Sequence, residues 1–325
     1  MKRILAISLA FAISLVPTVR PRASLSNGSV DRYLVVGFDD AAENTDVIAL
    51  VSYQPSSNRL TLLQIPRDTY YDFGGVQNKI NQLYPYVLAG RDGKAAREEA
   101  MMALRDAVSS VLGVSIDRYV AVSIDGFAAM IDRIGGVEMK LDREISFRDE
   151  ETGELHRIGA GGHLLKGKEA SAFVRYRLGY ASGDLGRLDA QKVFISALLR
   201  KFGSGLSAPT IISILSGLRS GVVTDLSLPH ALRLGIRFAS YYKKTDIRYL
   251  TLPGEPCIYR GISYYVANRA SSAEAISALV CFSRSCPTFD PNGRLVFRSS
   301  REISEIYDRS SIDYRVYTDA ELRLR

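Results

Sequence analysis

Strand-period and helix-period segments alternate along this chain, and that alternation restricts its fold more than any other feature. Tyr33–Phe38 is a short apolar run followed by Asp39-Asp40, the pattern of a buried strand with an acidic carboxyl edge. Asp46–Tyr53 and Arg59–Ile65 are β-rich and separated by Pro55-Ser-Ser-Asn58, which predicts a hairpin. Pro66-Arg67-Asp68 then ends the second strand with a charged pair at its tip. Arg97–Leu112 carries apolar residues at 101, 104, 108, 111 and 112, the period of a helix with one buried face, and Gly113 closes it. Arg118–Ser123 reads as a strand. Asp125 reads as the cap of a helix whose Phe127, Met130, Ile131 and Ile134 point inward, stopped by Gly135-Gly136. Residues 142–162 are polar and glycine-rich, a loop or weak hairpin. A helix over Gly167–Phe173 leads into an arginine-rich segment, and Leu188–Phe202 forms a helix packed on the sheet. Helices at about 208–217 and 228–240, a strand at Ile247–Leu252 and a last helix at about 272–281 complete the pattern. Strands interleaved with helices give an α/β sandwich on a mixed sheet. Residues 282–325 form a C-terminal extension of uncertain fold.

A chain of 325 residues with 46% apolar composition can bury a full core. Its 42 basic and 35 acidic residues leave a charge of +7, suited to an anionic membrane surface, a phosphate-rich substrate or nucleic acid. Nucleic acid is the weakest of these and is not expected as a partner: the chain has no dense Lys/Arg run, no zinc-ligand spacing and no aromatic-basic RNA motif. Near the N-terminus, Lys2-Arg3 precedes the uncharged run Ile4–Val16, with Pro17, Arg20 and Arg22 after it. The run is short of the ~20 residues of a full span and has the form of a signal segment. No Ala-x-Ala site follows, so residues 1–24 read as an uncleaved signal anchor and 25–30 as a linker. The rest would lie outside the cytoplasm, anchored to the membrane. Cys257, Cys281 and Cys286 have no C-x-x-C spacing, and His156, His163 and His230 form no ligand pattern. One disulfide with one free thiol, or three ordinary buried side chains, are both open.

The densest chemistry lies in Arg175-Tyr-Arg-Leu-Gly-Tyr-Ala-Ser-Gly-Asp-Leu-Gly-Arg187, just ahead of a helix. Guanidinium forks match phosphate and pyrophosphate oxygens, glycines admit backbone N–H groups, and the following helix start adds its positive dipole end. Asp184 is the one carboxylate in the segment, able to bind a metal or accept a proton. The segment reads as a phosphate site with chemistry attached.

The motifs in order carry a resemblance. Gly37-Phe-Asp39, Asn44-Thr-Asp46, Ile65-Pro-Arg67-Asp68-Thr69, Asn78-Lys79-Ile-Asn81, Asp125-Gly-Phe127 with Ile134-Gly-Gly-Val137, Leu165-x-Gly-Lys-Glu-Ala170, Arg175-x-Arg177, Gly183-Asp184-x-Gly-Arg187 and Asp189-Ala-Gln191 together resemble the LytR-CpsA-Psr family. The likeness spans about residues 31–280, and a catalytic domain of that family over 31–281 is expected. It implies an α/β/α sandwich with a central mixed β-sheet and a lipid in an apolar tunnel. It also implies a membrane-anchored phosphotransferase that moves a glycopolymer from a polyprenyl-pyrophosphate carrier to peptidoglycan at the outer face of the membrane. Asn44 departs from the arginine usual there, and Asp40-Ala41 stand where a further arginine is common.

On this reading Arg67, Arg175, Arg177 and Arg187 hold the pyrophosphate, with Arg175 and Arg177 projecting to one side of an extended segment. Lys79 is an extra phosphate contact from a polar loop that also carries Asn81 and Tyr84. Two carboxylates facing a pyrophosphate repel it unless a cation lies between, so Asp39 and Asp46 are expected to bind Mg2+. Asp184 acts as general base, with Arg67 and Arg177 stabilising the transferring phosphoryl group. Asp68, Asn81 and Gln191 support the site. The inward faces of 101–112, 127–134 and 194–202 are the candidate tunnel walls. Two rivals remain: a non-catalytic carrier-binding or regulatory protein, and a lipid-linked pyrophosphatase.

Overall fold

A computed structural model describes residues 30–38, 45–73, 76–148, 152–177, 180, 183–203, 210, 214, 221–282 and 301–324. The N-terminal apolar run, Asp39, Asn44, Cys286 and most of the 208–217 helix lie outside the described residues.

Along the chain the strands are β1 Asp31–Phe38, β2 Thr45–Gln54, β3 Arg59–Gln64, β4 Tyr70–Phe73, β5 Val76–Lys79, β6 Arg118–Ser123, β7 Val137–Leu141, β8 Ile145–Arg148, β9 Leu155–Ile158, β10 Gly161–Leu165, β11 Val222–Thr224, β12 Asp246–Thr251, β13 Gly254–Tyr259, β14 Ile262–Ala267 and β15 Val316–Thr318. The helices are α1 Leu83–Leu88, α2 Lys94–Leu112, α3 Ile124–Arg133, α4 Gly167–Arg175, α5 Asp184–Gly203, α6 Leu228–Tyr241, α7 Arg269–Ala275, α8 Arg301–Asp308 and α9 Asp319–Arg323. Seven strands form the central sheet in the order β11-β6-β1-β2-β3-β12-β15. It is mixed: β1 pairs in parallel with β6 and β3 with β12, while β1–β2 and β2–β3 are antiparallel. The carboxyl ends of β1, β3, β6 and β12 therefore share one edge with the amino end of β2. In open α/β sheets that edge is where ligands bind.

Period-2 alternation sends Leu34, Val36, Ile48, Leu50, Leu63 and Leu250 to one face, against Met101, Leu104, Val108 and Leu112 of α2. Each such buried side chain contributes about 1.5–3 kcal/mol relative to exposure. Ala49, Leu62, Ile247 and Tyr249 face the other way, against Ile195 and Leu199 of α5. A satellite core of Ile131, Val137, Leu165, Phe173 and Phe194 packs α3, α4 and β7 onto the outer side of α5. Helix α5 is thus apolar on two sides, with a stripe of buried polar residues, Arg187, Gln191, Lys192 and Ser196, between them. The result is the expected α/β/α sandwich.

Local chemistry sets the boundaries. Asn58 takes the left-handed conformation (φ 51°) in the Pro55–Asn58 turn, which asparagine tolerates better than most residues. Gly113 ends α2 at φ 66°. Helix α3 is capped by Ser123, whose hydroxyl accepts from the Gly126 N–H, and not by Asp125, which sits in the first turn. Strands β8 and β9 pair antiparallel, Ile145 opposite Ile158 and Arg148 opposite Leu155. The segment read as a polar loop around Lys79 is instead the β4–β5 hairpin, a 3₁₀ turn at Ile80–Gln82 and α1, with Tyr84 buried. The C-terminal residues also differ from expectation. Strand β15 extends the central sheet beside β12, and Ile303, Ile306 and Tyr307 of α8 join the main core, so residues 301–324 complete the same domain. Cys281 is disulfide-bonded and Cys257 is a free thiol.

Candidate active site

Asp46 is the second residue of β2 and Arg67 follows β3, so both stand at the ligand-binding edge. The Pro66–Thr69 turn is closed twice onto the Pro66 carbonyl, by the Thr69 N–H at 2.9 Å and the Thr69 hydroxyl at 2.6 Å. Three further backbone bonds pin it: Asn81 N–H to the Arg67 carbonyl (3.3 Å), Ile80 N–H to that of Thr69 (2.9 Å) and Tyr265 N–H to that of Asp68 (2.8 Å). These bonds fix the direction in which Arg67 leaves the backbone, and its guanidinium is set by Asp46.

The other half of the site comes from the junction of α4 and α5. Tyr176 leaves the helix in extended conformation and Arg177 follows it. Gly183, at φ 56°, then turns the chain so that Asp184 begins α5. An aspartate in a first helical turn is favoured by the helix dipole. These pieces converge. Arg67 Nη1 lies 2.5 Å from Asp46 Oδ1, and Arg177 Nη2 lies 3.7 Å from the same oxygen. Asp184 Oδ1 has Arg187 Nη2 at 2.9 Å, Arg177 Nε at 3.7 Å and Arg67 Nε at 3.8 Å.

Among the described residues, three guanidiniums surround two carboxylates, an excess of one positive charge. More telling is how the donors are used. Arg187 is 1% exposed, yet its Nε and Nη2 make no directed hydrogen bond, and neither does Arg67 Nε. The 2.9 Å approach of Arg187 to Asp184 is electrostatic without hydrogen-bond alignment. Burial pulls the Arg187 guanidinium below its ordinary pKa, with Asp184 opposing. Buried N–H groups without acceptors cost ~1–3 kcal/mol each, so a site that keeps them is built for an anion that will supply the acceptors.

Gln191, one turn beyond Arg187, ties the parts together. Its Nε2 donates to the Val174 carbonyl at 2.9 Å, at the end of α4, while its Oε1 accepts from Gln64 Nε2 at 3.2 Å, at the end of β3. Gln64 was not among the expected site residues. A glutamine following the apolar pair Leu62-Leu63 at the end of β3 was the available signal.

Five expected residues meet here: Asp46, Arg67, Arg177, Asp184 and Arg187. Arg175 does not share an extended segment with Arg177, because it occupies the last turn of α4. Lys79 pairs with Asp68 at 3.1 Å beside the Tyr264 ring, and so not with the arginine cluster. Asn81 is buried under the Arg67 turn. Its carbonyl accepts from the Thr45 hydroxyl at 3.4 Å, and its side-chain oxygen has no partner. Among the described residues no three metal-binding side chains cluster. Mg2+ needs only one or two carboxylates when substrate phosphates complete its shell, so Asp46 fits that donor set. Beside β6 and β11 runs a mostly apolar cavity of about 840 Å³ lined by Val120, Val122, Val222, Val223, Leu228 and Met130, with Asp92, Lys94 and Arg97 also bordering it. Of the expected tunnel faces only Met130 borders it. The apolar residues of α2 are plain core.

Residues 23–279 match the model of the LytR_cpsA_psr family. The polyisoprenyl-teichoic acid–peptidoglycan teichoic acid transferase TagU of Oceanobacillus iheyensis is 30% identical over 239 residues, 72% of this chain and 70% of that one. The crystal structure of Bacillus subtilis TagV superposes with a TM-score of 0.59 at 25% identity, covering 73% of this chain and 91% of that one. A structure of TagT bound to LIIa-WTA has the same fold, with a TM-score of 0.59 at 23% identity over 81% and 94% of the two chains. With its sandwich fold and the arginine–aspartate cluster at the sheet's carboxyl edge, the chain belongs to the LytR_cpsA_psr family.

Proposed function

We propose that this protein is a phosphotransferase that moves a glycopolymer from a polyprenyl-diphosphate carrier to peptidoglycan. The observation that carries the reading is the set of buried, unspent guanidinium donors of Arg187 and Arg67 facing two carboxylates. The TagU relative, named for the transfer of teichoic acid to peptidoglycan, supports the same chemistry.

Arg67, Arg177 and Arg187 grip the diphosphate. The acceptor hydroxyl oxygen attacks the phosphorus nearest the polymer as Asp184 takes its proton. A new P–O bond forms, the bridging P–O bond breaks, and its electron pair leaves on polyprenyl monophosphate. The products are a polymer–glycan phosphodiester and the carrier monophosphate, with no oxidant and no water consumed. Charge spreads over the phosphoryl oxygens in the loose transition state, where fixed guanidiniums are worth more than in water. Asp46 and Asp39 would hold Mg2+, which supplies further neutralisation of the diphosphate. The apolar cavity beside β6 offers the prenyl chain a place, since Val122 leads to Ser123 at the edge where the cluster stands.

Lys2-Arg3 and the Ile4–Val16 run would tether the chain, with the catalytic domain on the outer face of the membrane. The disulfide bond at Cys281 supports an oxidising compartment. Incubation with a lipid-linked oligosaccharide and a peptidoglycan acceptor tests the reading. Formation of the phosphodiester is expected. Retention of the carrier without turnover would instead favour a binding protein, and release of the polymer phosphate into water a pyrophosphatase.

A further inference from the structure

Helix α6 runs along the edge of the sheet opposite the arginine cluster. His230 Nε2 lies 3.2 Å from the Tyr33 hydroxyl near the start of β1. Arg237 Nε donates to the Tyr53 hydroxyl near the end of β2 at 3.3 Å, and Asn58 of the β2–β3 turn donates to the Tyr241 carbonyl at 3.5 Å. Phe238 packs against the core that holds Ala49, Leu62 and Tyr249. The side chains of His230, Arg237 and Phe238 fall on one side of the helix. On the other side Leu228, Leu232 and Ile236, spaced four apart, form an apolar stripe, with Leu228 53% and Ile236 47% exposed. None of the 14 residues of this amphipathic helix is fully buried. Water is a poor environment for such a stripe.

The charge around the stripe has one sign. From Leu226 to Thr245 the chain carries Arg233, Arg237, Lys243 and Lys244 and no carboxylate. Arg233, Lys243 and Lys244 are exposed. Carboxylates of the neighbouring segments are engaged: Asp117 accepts from the Arg32 N–H at 2.8 Å, Asp225 lies 3.9 Å from Arg105 and 3.8 Å from Arg118, and Asp246 pairs with Arg248 at 2.7 Å. An apolar stripe flanked by cations is the composition of a helix that lies in the plane of anionic lipid headgroups. Two features of the fold point the same way. Strand β1 begins beside α6, so a chain tethered through Lys2-Arg3 and Ile4–Val16 enters the domain at this edge. The cavity beside β6 reaches the same place. Its lining passes from the Val122–Val222 pair, next to Ser123, through the Val120–Thr224 pair to Leu226, Leu228 and Ala231 around the start of α6.

We propose that α6 lies on the surface of an anionic bilayer, with Leu228, Leu232 and Ile236 in the apolar boundary and Arg233, Lys243 and Lys244 on the lipid headgroups. The arginine cluster then faces away from the bilayer while the cavity opens toward it. The inference rests on the membrane location proposed above and not on phosphoryl transfer, and its test separates the helix from the tether. The chain has no tryptophan, so Ile236→Trp places a single reporter on the outer face of α6. Ile258→Trp is the control, exposed on the β13–β14 hairpin that joins the Arg67 turn at the opposite edge. The full chain carrying either change is reconstituted into vesicles of phosphatidylcholine, or of an equimolar mixture with phosphatidylglycerol, with and without brominated acyl chains. On mixed vesicles the Ile236→Trp emission should move to the blue and lose roughly half its intensity to the bromines, as for an indole ~5–10 Å into the boundary. Ile258→Trp should do neither. Each Lys or Arg at an anionic surface carries roughly a fivefold factor, so Arg233→Gln, Lys243→Gln and Lys244→Gln together should weaken the contact ~100-fold and abolish the quenching. Their thermal midpoint should match that of the parent.

Unshifted Ile236→Trp emission on mixed vesicles would overturn the proposal. So would quenching that is equal on both vesicle types and survives the glutamine variant. A blue shift that the bromines do not quench would mean that a second copy of the chain covers the face, and would overturn it as well. Flotation of the same vesicles reports the tether. A chain that does not float with phosphatidylcholine refutes the tether, and its emission on mixed vesicles still decides the helix.

Discussion

Replacing Arg187 by methionine separates a ligand-binding guanidinium from a structural one. In the free protein Arg187 is 1% exposed, and two of its nitrogens have no hydrogen-bond acceptor. Each such buried donor costs ~1–3 kcal/mol. Its one close carboxylate, Asp184, keeps Arg67 and Arg177 within 3.8 Å when Arg187 is gone. The ~3–5 kcal/mol penalty for stranding a buried charge should therefore not apply in full. Arg187→Met is expected to be at least as stable as the parent in urea unfolding. Binding should behave oppositely. Two charge-assisted bonds to a diphosphate contribute ~1.5–3 kcal/mol each, so affinity should fall by about 10²–10⁴. With farnesyl diphosphate at 100 times the parent Kd, linkage stabilises the parent by ~2.7 kcal/mol, roughly 5–10 °C in a domain of this size. The variant should show almost none of that shift. An unliganded variant destabilised by more than ~3 kcal/mol, with the ligand-induced shift intact, would refute the reasoning and make Arg187 a structural ion pair.

Arg67→Lys and Arg177→Lys should each lower turnover by ~10²–10³ with unchanged thermal midpoints, because an ammonium keeps the charge and loses the fork; near-parent rates would show only a general electrostatic surface. Asp184→Asn should retain donor binding while transfer falls ~10²–10⁴-fold, and rescue by excess Mg2+ would move the base role elsewhere, with Asp68 next in line. Asp319 answers to pH: burial pushes its carboxyl up, but hydrogen bonds from Ser196 and Arg323 outweigh this and hold it below the usual 3.8. A depressed folded pKa gives stability that is complete above the unfolded value and lost as pH falls through the folded one. Asp319→Asn should therefore flatten the acid limb of the stability curve below about pH 4. An unchanged limb would place the acid sensitivity elsewhere.

The first three strands of the central sheet were legible because period-2 runs and the Pro55–Asn58 turn act within a few residues. Arg177, Asp184 and Arg187 stood out because arginines packed among glycines around a single carboxylate have few structural uses, and Arg67 because it follows the proline that ends a strand. What could not be read depends on distant contacts. Nothing near Lys79 announces that Asp68 will take it. Arg175 was placed in an extended segment because the helix before it runs two residues past Phe173. Strand β15 has three residues, too few for a period, and exists only because β12 offers it an edge. Asp125 was read as a cap on residue type alone, whereas capping requires the extended backbone that Ser123 has. Gln191 was expected to support the site, but its partner Gln64 lies 127 residues away, and only the folded chain shows that the two bind one another.

The central claim is that the phosphoryl group passes to a glycan hydroxyl and not to water. Running the reaction in ¹⁸O-enriched water with a lipid-linked donor and peptidoglycan tests it most directly, by mass spectrometry of the polymer phosphate. The expected product is a polymer–glycan phosphodiester free of heavy oxygen, formed in step with polyprenyl monophosphate. One heavy oxygen on a released polymer phosphate, or an intact donor with no product, would contradict it.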